Sequence, residues 1–120
     1  MTAKELYESF NGNYTLAIQT MMNDDFIKRM LTKFMQNNSF KDVMSNYESK
    51  NYHGVFEASH SLKGVCGNLA LTPLYEKASA LCEKTRVLKE GETPDIELEI
   101  NELKEVYERV TSLINNFVNQ

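Results

Sequence analysis

A run of apolar residues at helical spacing lies between residues 55 and 69, and it limits how this chain can fold more than any other feature. On a helical wheel of about 100° per residue, His60 falls opposite the apolar stripe. The stripe consists of Val55, Ala58, Leu62, Val65 and Leu69. A helix with this pattern buries one face and exposes the other. We therefore expect His60 to face water.

The residues around His60 on the wheel leave space beside its imidazole. Glu57, Lys63, Gly64 and Gly67 all fall within about 60° of it. A glycine in a helix interior costs about 1 kcal/mol relative to alanine, so two glycines on this side indicate a gain that offsets the cost. We interpret that gain as close access for a large partner.

An exposed histidine followed one turn later by a lysine has two interpretations. An exposed imidazole is largely neutral near neutral pH, so one ring nitrogen is free to act as a nucleophile. Lys63 could then neutralise a phosphoryl group acquired by His60. Alternatively, His60 and Lys63 are ordinary surface residues, as in most H-x-x-K pairs. The flanking glycines and the opposite apolar stripe favour the first interpretation.

The stretch 59–70 resembles the histidine-containing phosphotransfer (HPt) domain of two-component phosphorelays. That family reads approximately A-H-x-L-K-G-x-x-x-N-L-G, and six of its eight defined positions match here. The departures are Ser59 in place of alanine and Ala70 in place of the last glycine. The matching residues are His60, Leu62, Lys63, Gly64, Asn68 and Leu69. The similarity extends more loosely over residues 24–86.

The resemblance implies that His60 is the phospho-accepting residue and that Lys63 stabilises the phosphoryl group. Gly64 and Gly67 would then permit close approach of the partner. The implied partners are response-regulator receiver domains and a hybrid histidine kinase. In this family the receiver supplies Mg²⁺ and a phosphorylated aspartate, so this chain is expected to bind no cofactor and to have no autonomous catalytic site. The expected function is a phosphorelay intermediate between two receiver aspartates.

Apolar residues near His60 are candidates for receiver docking. Phe56 lies about 40° from His60 on the wheel, which leaves two possibilities open. Phe56 either packs under the helix predicted over residues 24–37, which we favour, or belongs to a docking patch. Met30 and Phe26 would complete that patch, with Glu57 beside it.

Other functions have weaker support. Glu57 and His60 have the E-x-x-H spacing of di-iron bundles, and His53 lies one heptad earlier, but these are the only two histidines. A metal-binding bundle is therefore the least favoured reading. No nucleophile-turn motif and no glycine-rich phosphate loop is present. A module that binds a receiver without turning over phosphate remains open.

Length and charge fit one helical domain. A chain of 120 residues can bury a substantial core, and its net charge of −4 opposes nucleic-acid binding. The N-terminus lacks an apolar signal core and no window approaches about 20 apolar residues, so we expect a cytoplasmic protein without membrane contact. Cys66 and Cys82 are then expected to be reduced thiols. The polar exterior predicts a monomer.

Capping residues and apolar spacing predict an all-α chain of seven helices, over about residues 3–10, 13–22, 24–37, 39–49, 52–71, 72–91 and 93–118. The predicted caps are Thr2 with Glu5, Asp24, Ser39, and the pairs Thr72-Pro73 and Thr93-Pro94. Short connections require antiparallel neighbours. We expect one domain, 1–120, in which an up-down-up-down four-helix bundle spans residues 39–118 and the helices within 2–37 pack across it.

Overall fold

The computed structural model describes residues 1–120 as seven α-helices without a strand, which confirms the predicted all-α class. The helices are α1 (Ala3–Ser9), α2 (Tyr14–Met21), α3 (Asp24–Phe34), α4 (Ser39–Glu48), α5 (Tyr52–Asn68), α6 (Thr72–Arg86) and α7 (Glu97–Val118). The longest, α7, has 22 residues. No helix is both long and apolar enough to span a bilayer.

The first helix begins with the predicted capping box. The backbone N–H of Glu5 donates to Thr2 Oγ1 at 3.1 Å, and the Glu5 carboxylate accepts from the Thr2 backbone N–H at 2.9 Å. This reciprocal pair satisfies two of the donors that a helix N-terminus leaves free. The side chains of Asn13 and Asn51 cap α2 and α5 in a similar way.

Three predicted caps are displaced by one residue. Asn23, whose backbone is extended, caps α3 through its side chain, so Asp24 is the first helical residue instead of the cap. Ser39 and Thr72 are likewise the first residues of α4 and α6. Pro73 still falls within the first turn of α6, where its missing N–H costs nothing.

The connection between α6 and α7 is longer than predicted. Helix α6 ends at Arg86, before Gly91, and Val87 directly after it is 75% exposed. The Thr93-Pro94 pair does not start a helix, since α7 begins at Glu97 after Ile96. Burial of Ile96 against the core fixes where the chain turns into α7.

One continuous cluster of 26 buried apolar residues extends from Ala3 to Phe117 and so joins the first helix to the last. Helix α5 packs between α4 and α6, α6 packs against α7, and α3 packs against α7 and α2. Phe40 of α4 stacks on Tyr107 of α7, with ring centroids 3.8 Å apart. The molecule is a helical bundle in which α5 is held from two sides.

The C-terminus of α5 ends in a Schellman motif. The N–H of Leu71 donates to the carbonyl of Cys66 at 3.0 Å, and that of Ala70 donates to Gly67 at 3.2 Å. Ala70 has φ 56°, a left-handed conformation that favours glycine, so this departure from the family pattern falls where glycine is preferred. Its methyl group is buried, which offsets part of the backbone cost.

A buried hydrogen bond ties this end of α5 to the N-terminal helices. Tyr7 of α1 donates its hydroxyl to the carbonyl oxygen of Leu69 at 2.7 Å. Burial raises the pKa of the Tyr7 hydroxyl well above its usual value, so it remains a donor at any physiological pH. Helix α1 therefore helps to fix the end of the helix that carries His60.

Candidate functional site

His60 lies on the exposed face of α5, as the helical wheel predicts. On the opposite face Val55, Leu62 and Leu69 are buried, and Val65 is half-buried. The burial of that stripe between α4 and α6 fixes the rotation of α5 about its axis. The core thus determines that His60 points away from it.

The space beside His60 differs at the two predicted access glycines. A Cβ atom built at Gly64 would meet no atom within 4 Å outside its own helix. At Gly67 the same atom would lie 3.4 Å from the ring of Tyr75 on α6. Gly64 therefore lies beside open solvent, whereas Gly67 lies against a neighbouring helix.

The imidazole of His60 contacts two side chains. Its Nδ1 atom lies 4.0 Å from Sγ of Cys82, which is fully buried on α6. The ring of Phe56 stacks with the imidazole at a centroid distance of 6.1 Å and an interplanar angle of 26°. One edge of the ring thus faces Cys82, and one face of the ring is turned toward Phe56.

Arg86 of α6 places a guanidinium group next to this arrangement. Its Cζ atom lies 5.5 Å from the centroid of the Phe56 ring, and Nη2 lies 3.9 Å from Sγ of Cys82. Glu83 pairs with Arg86 at 3.2 Å from one turn earlier. The guanidinium of Arg86 and the imidazole of His60 therefore both lie next to the sulfur of Cys82.

Lys63 and Glu57 do not contact His60, although both flank it along α5. The ammonium of Lys63 lies 5.9 Å from the ring centroid of Tyr75, which favours a cation–π contact. The Glu57 carboxylate pairs with Nε2 of His53 at 3.2 Å. His53 is a solvated residue near the start of α5, with a side chain that is 80% exposed.

The expected packing of Phe56 under α3 is wrong. The Phe56 ring lies between the rings of His53 and His60 and the guanidinium of Arg86. Helix α3 packs on α1, α2 and α7 instead. Phe56 is therefore half-buried on the His60 side of the molecule.

The two predicted docking residues on α3, Phe26 and Met30, make their contacts away from the imidazole of His60. Phe26 is 37% exposed and lies under the guanidinium of Arg29, at 5.3 Å from ring centroid to Cζ. Met30 packs against the core. Of the four candidate docking residues, only Phe56 contacts the imidazole itself.

Cys82 and Arg86 contact the site but were not identified from the sequence. They lie four residues apart on α6, so they share a helix face, and that spacing was the only available signal. Their proximity to His60 depends on how α6 is rotated and shifted against α5. Spacing within one helix carries no information about that register.

The two cysteines are free thiols in different surroundings. Burial raises the pKa of Cys66 to about 12, so this thiol stays protonated and unreactive. Cys82 instead contacts His60 and Arg86. No group of three or more His, Cys, Asp or Glu side chains is arranged to hold a metal ion.

The family model of the Hpt domain matches residues 22–112. Comparison with curated proteins and with solved structures gives no significant match. The matched region contains α3–α6 and most of α7, and hence the whole surroundings of His60. The chain belongs to the Hpt domain family, and its class is a phosphotransfer module of two-component phosphorelays.

Proposed function

We propose that this chain is a phosphorelay intermediate in which His60 accepts a phosphoryl group from a receiver aspartate and transfers it to an aspartate of another receiver. The observation that carries the proposal is an exposed imidazole on a fixed helix, with empty space at Gly64 one turn later. To react, a nitrogen of the imidazole must come within about 3 Å of the phosphorus atom on the receiver. Bulky side chains beside the histidine would prevent this approach. The partners are receiver domains and a hybrid histidine kinase.

The transfer consists of one displacement at phosphorus. A ring nitrogen of His60 forms a bond to phosphorus while the bond from phosphorus to the aspartyl oxygen breaks, and the carboxylate leaves with the electron pair. Transfer to the next receiver reverses these steps. The receiver contributes its aspartate and its Mg²⁺, so this chain contributes the nucleophile, its position and nearby positive charge.

Two cations of this chain are candidates to act on the phosphoryl group. Lys63 is one turn from His60, and its flexible side chain can exchange the ring of Tyr75 for a phosphoryl oxygen, since a cation–π contact near the surface contributes only about 0.5–1 kcal/mol. Arg86 lies beside the Cys82 contact to His60. We assign phosphoryl stabilisation to Lys63, with Arg86 as a second source of positive charge.

The docking surface is the exposed side of α5 around His60. Phe56 provides an apolar contact beside the imidazole, and Glu57 provides a charge on the same helix. Gly64 leaves room for the loops of a receiver. We keep Phe26 and Met30 of α3 as candidates for the edge of this surface.

We also infer that α4–α7 form the antiparallel four-helix bundle expected from the sequence, within a single domain. The packing of α5 on α4 and α6, of α6 on α7, and of Phe40 on Tyr107 supports a closed set of four. The continuous core from Ala3 to Phe117 supports one domain.

Incubation with a receiver phosphorylated on its aspartate tests the function. We expect label to appear on this chain in a form that is lost in acid and kept in alkali, as phosphohistidine is. A further unphosphorylated receiver should then remove it. Binding of the receiver without any label would show instead a receiver-binding module that does not turn over phosphate.

A further inference from the structure

An apolar groove of about 370 Å³ lies along the half of α5 that follows His60. It is formed where α2 and the start of α6 approach the end of α5. The lining of this Gly67 groove consists of Leu16, Cys66, Gly67, Ala70, Thr72 and Tyr75. Two large side chains of the lining stay partly open to water, Leu16 at 44% and Tyr75 at 37%. The groove therefore offers apolar surface to a partner.

The groove owes its depth to the glycine at position 67, which is exposed on α5. A Cβ atom there would already lie 3.4 Å from the ring of Tyr75. A longer side chain would fill part of the space between α5 and α6 or displace that ring. The absence of a side chain at Gly67 keeps the groove open.

The Gly67 groove lies on the same side of α5 as His60. Gly67 follows His60 by seven residues, so the two positions differ by about 20° around the helix and about 10 Å along it. Gly64, between them, has open space beside it. A stable protein–protein interface covers about 800 Å² of each partner, a patch roughly 30 Å across. A receiver centred on His60 therefore extends over the groove.

A second cleft, on the other side of His60, has a different chemistry. It lies between the start of α5 and the connection from α6 to α7, and most of its lining is polar or charged. Its cations include Lys50, Arg86 and Lys89, whereas no charged residue lines the Gly67 groove. Removal of apolar surface from water is the main driving force of protein association. The Gly67 groove is accordingly the better anchor for a docked protein.

We propose that the Gly67 groove binds an apolar side chain of the receiver and that Leu16 of α2 helps to determine which receivers bind. The inference rests on the proposed function, since it extends the docking surface of that same site. Helix α2 precedes residues 22–112, which the family model matches, so Leu16 lies outside the pattern common to the family. The wall that Leu16 forms is a feature by which this chain selects among receivers.

Leu16→Glu tests the groove with little expected effect on the fold. The backbone N–H of Leu16 donates to the side chain of Asn13 at 3.0 Å, which places Leu16 in the first turn of α2, where a carboxylate favours the helix. In a titration with the receiver domain used for the labelling test, the Kd should rise about tenfold, as for the loss of one well-packed interface side chain. The transfer rate at saturating receiver should stay within about twofold of native, because Leu16 touches no reacting group.

Leu98→Glu is the matched control, because Leu98 is also an exposed leucine in the first turn of a helix and lies outside the groove. It adds the same charge and should leave receiver binding and transfer at native values. Nitrogen-15 NMR of the native protein gives a second readout that needs no variant. On addition of the receiver, the amide signals of Gly67 and Tyr75 should shift together with that of His60.

Three results would overturn the inference. One is a folded Leu16→Glu protein that binds the receiver with the native Kd. Another is a bound receiver that leaves the signals of Gly67 and Tyr75 unshifted. The third is a concentration-dependent shift of these signals without a receiver, which would assign the groove to a second copy of this chain. Failure of the proposed function looks different, since the receiver would then bind and shift the same signals yet leave no acid-labile label on His60.

Discussion

The two halves of α5 contain similar residues in opposite surroundings. In the first half, His53 pairs with Glu57 in water, and Gly54 faces α4 so closely that a methyl group there would overlap the side chain of Asn46. In the second half, His60 lies against Cys82, while Gly64 faces open space. The first glycine has a packing reason and the second has none, so packing does not account for the cost of Gly64 in a helix interior, and we propose access to His60 as its reason.

Among the glycine and lysine variants, Gly64→Gln should have the largest effect on the rate of phosphoryl transfer. The new side chain would project beside the imidazole and displace a partner's loops, so transfer should slow about tenfold or more. The free protein has room for it, so its melting temperature should stay the same or rise. Stopped-flow or gel-based transfer assays and thermal denaturation measure the two effects.

Gly64→Ala serves as the control for this variant, because its methyl group is small. It should slow transfer less than Gly64→Gln does. Lost stability with normal transfer in the folded fraction would show that Gly64 serves packing, as Gly54 does, and would remove the difference between the two halves.

Lys63→Ala should slow transfer or shorten the lifetime of phosphohistidine by about tenfold, because a charge near the surface contributes on the order of 1 kcal/mol. The receiver brings its own cations, so transfer should not disappear. Lys104→Ala, which removes an exposed lysine from α7, is the control and should behave like the native protein. If Lys63→Ala transfers at the native rate and its phosphohistidine is equally stable, Lys63 has no part in the reaction.

The smallest expected effects are the changes in stability of Gly54→Ala and Gly64→Ala, which compare the two glycines directly. Gly54→Ala should lower the free energy of unfolding by about 1–3 kcal/mol, because the methyl group forces Asn46 away and disturbs its hydrogen bond with Asn51. Gly64→Ala should raise it by up to about 1 kcal/mol. Urea denaturation measures both, and changes of the same sign would argue against separate roles for the two glycines.

Much of the fold and the exposure of His60 could be predicted from the sequence. The predictions that were wrong have physical causes. Helical spacing located α5 and the exposure of His60 because burial repeats with the helix period. Caps were misplaced by one residue at Asp24, Ser39 and Thr72. At the first two, an asparagine directly before the predicted residue occupies the cap position, whereas α6 begins after Leu71 without a side-chain cap. The helix start predicted at Thr93-Pro94 was wrong, because burial of Ile96 sets the start of α7.

Contacts between helices could not be read from the sequence. The helical wheel placed Lys63 and Glu57 around His60. In the structure Lys63 contacts Tyr75, and Glu57 pairs with His53. Cys82 reaches His60 only because α6 has a particular register against α5. A one-helix pattern gives the direction of a side chain, whereas its partner depends on the neighbouring helix.

The central claim is that His60, and not His53, accepts the phosphoryl group, and a labelling comparison of two single variants tests it most directly. Both histidines are exposed on the same helix, so His60→Gln and His53→Gln should each leave the fold and the melting temperature nearly unchanged. The account predicts no acid-labile label on His60→Gln and native labelling of His53→Gln. Label retained by His60→Gln, or lost from a folded His53→Gln protein, would contradict it.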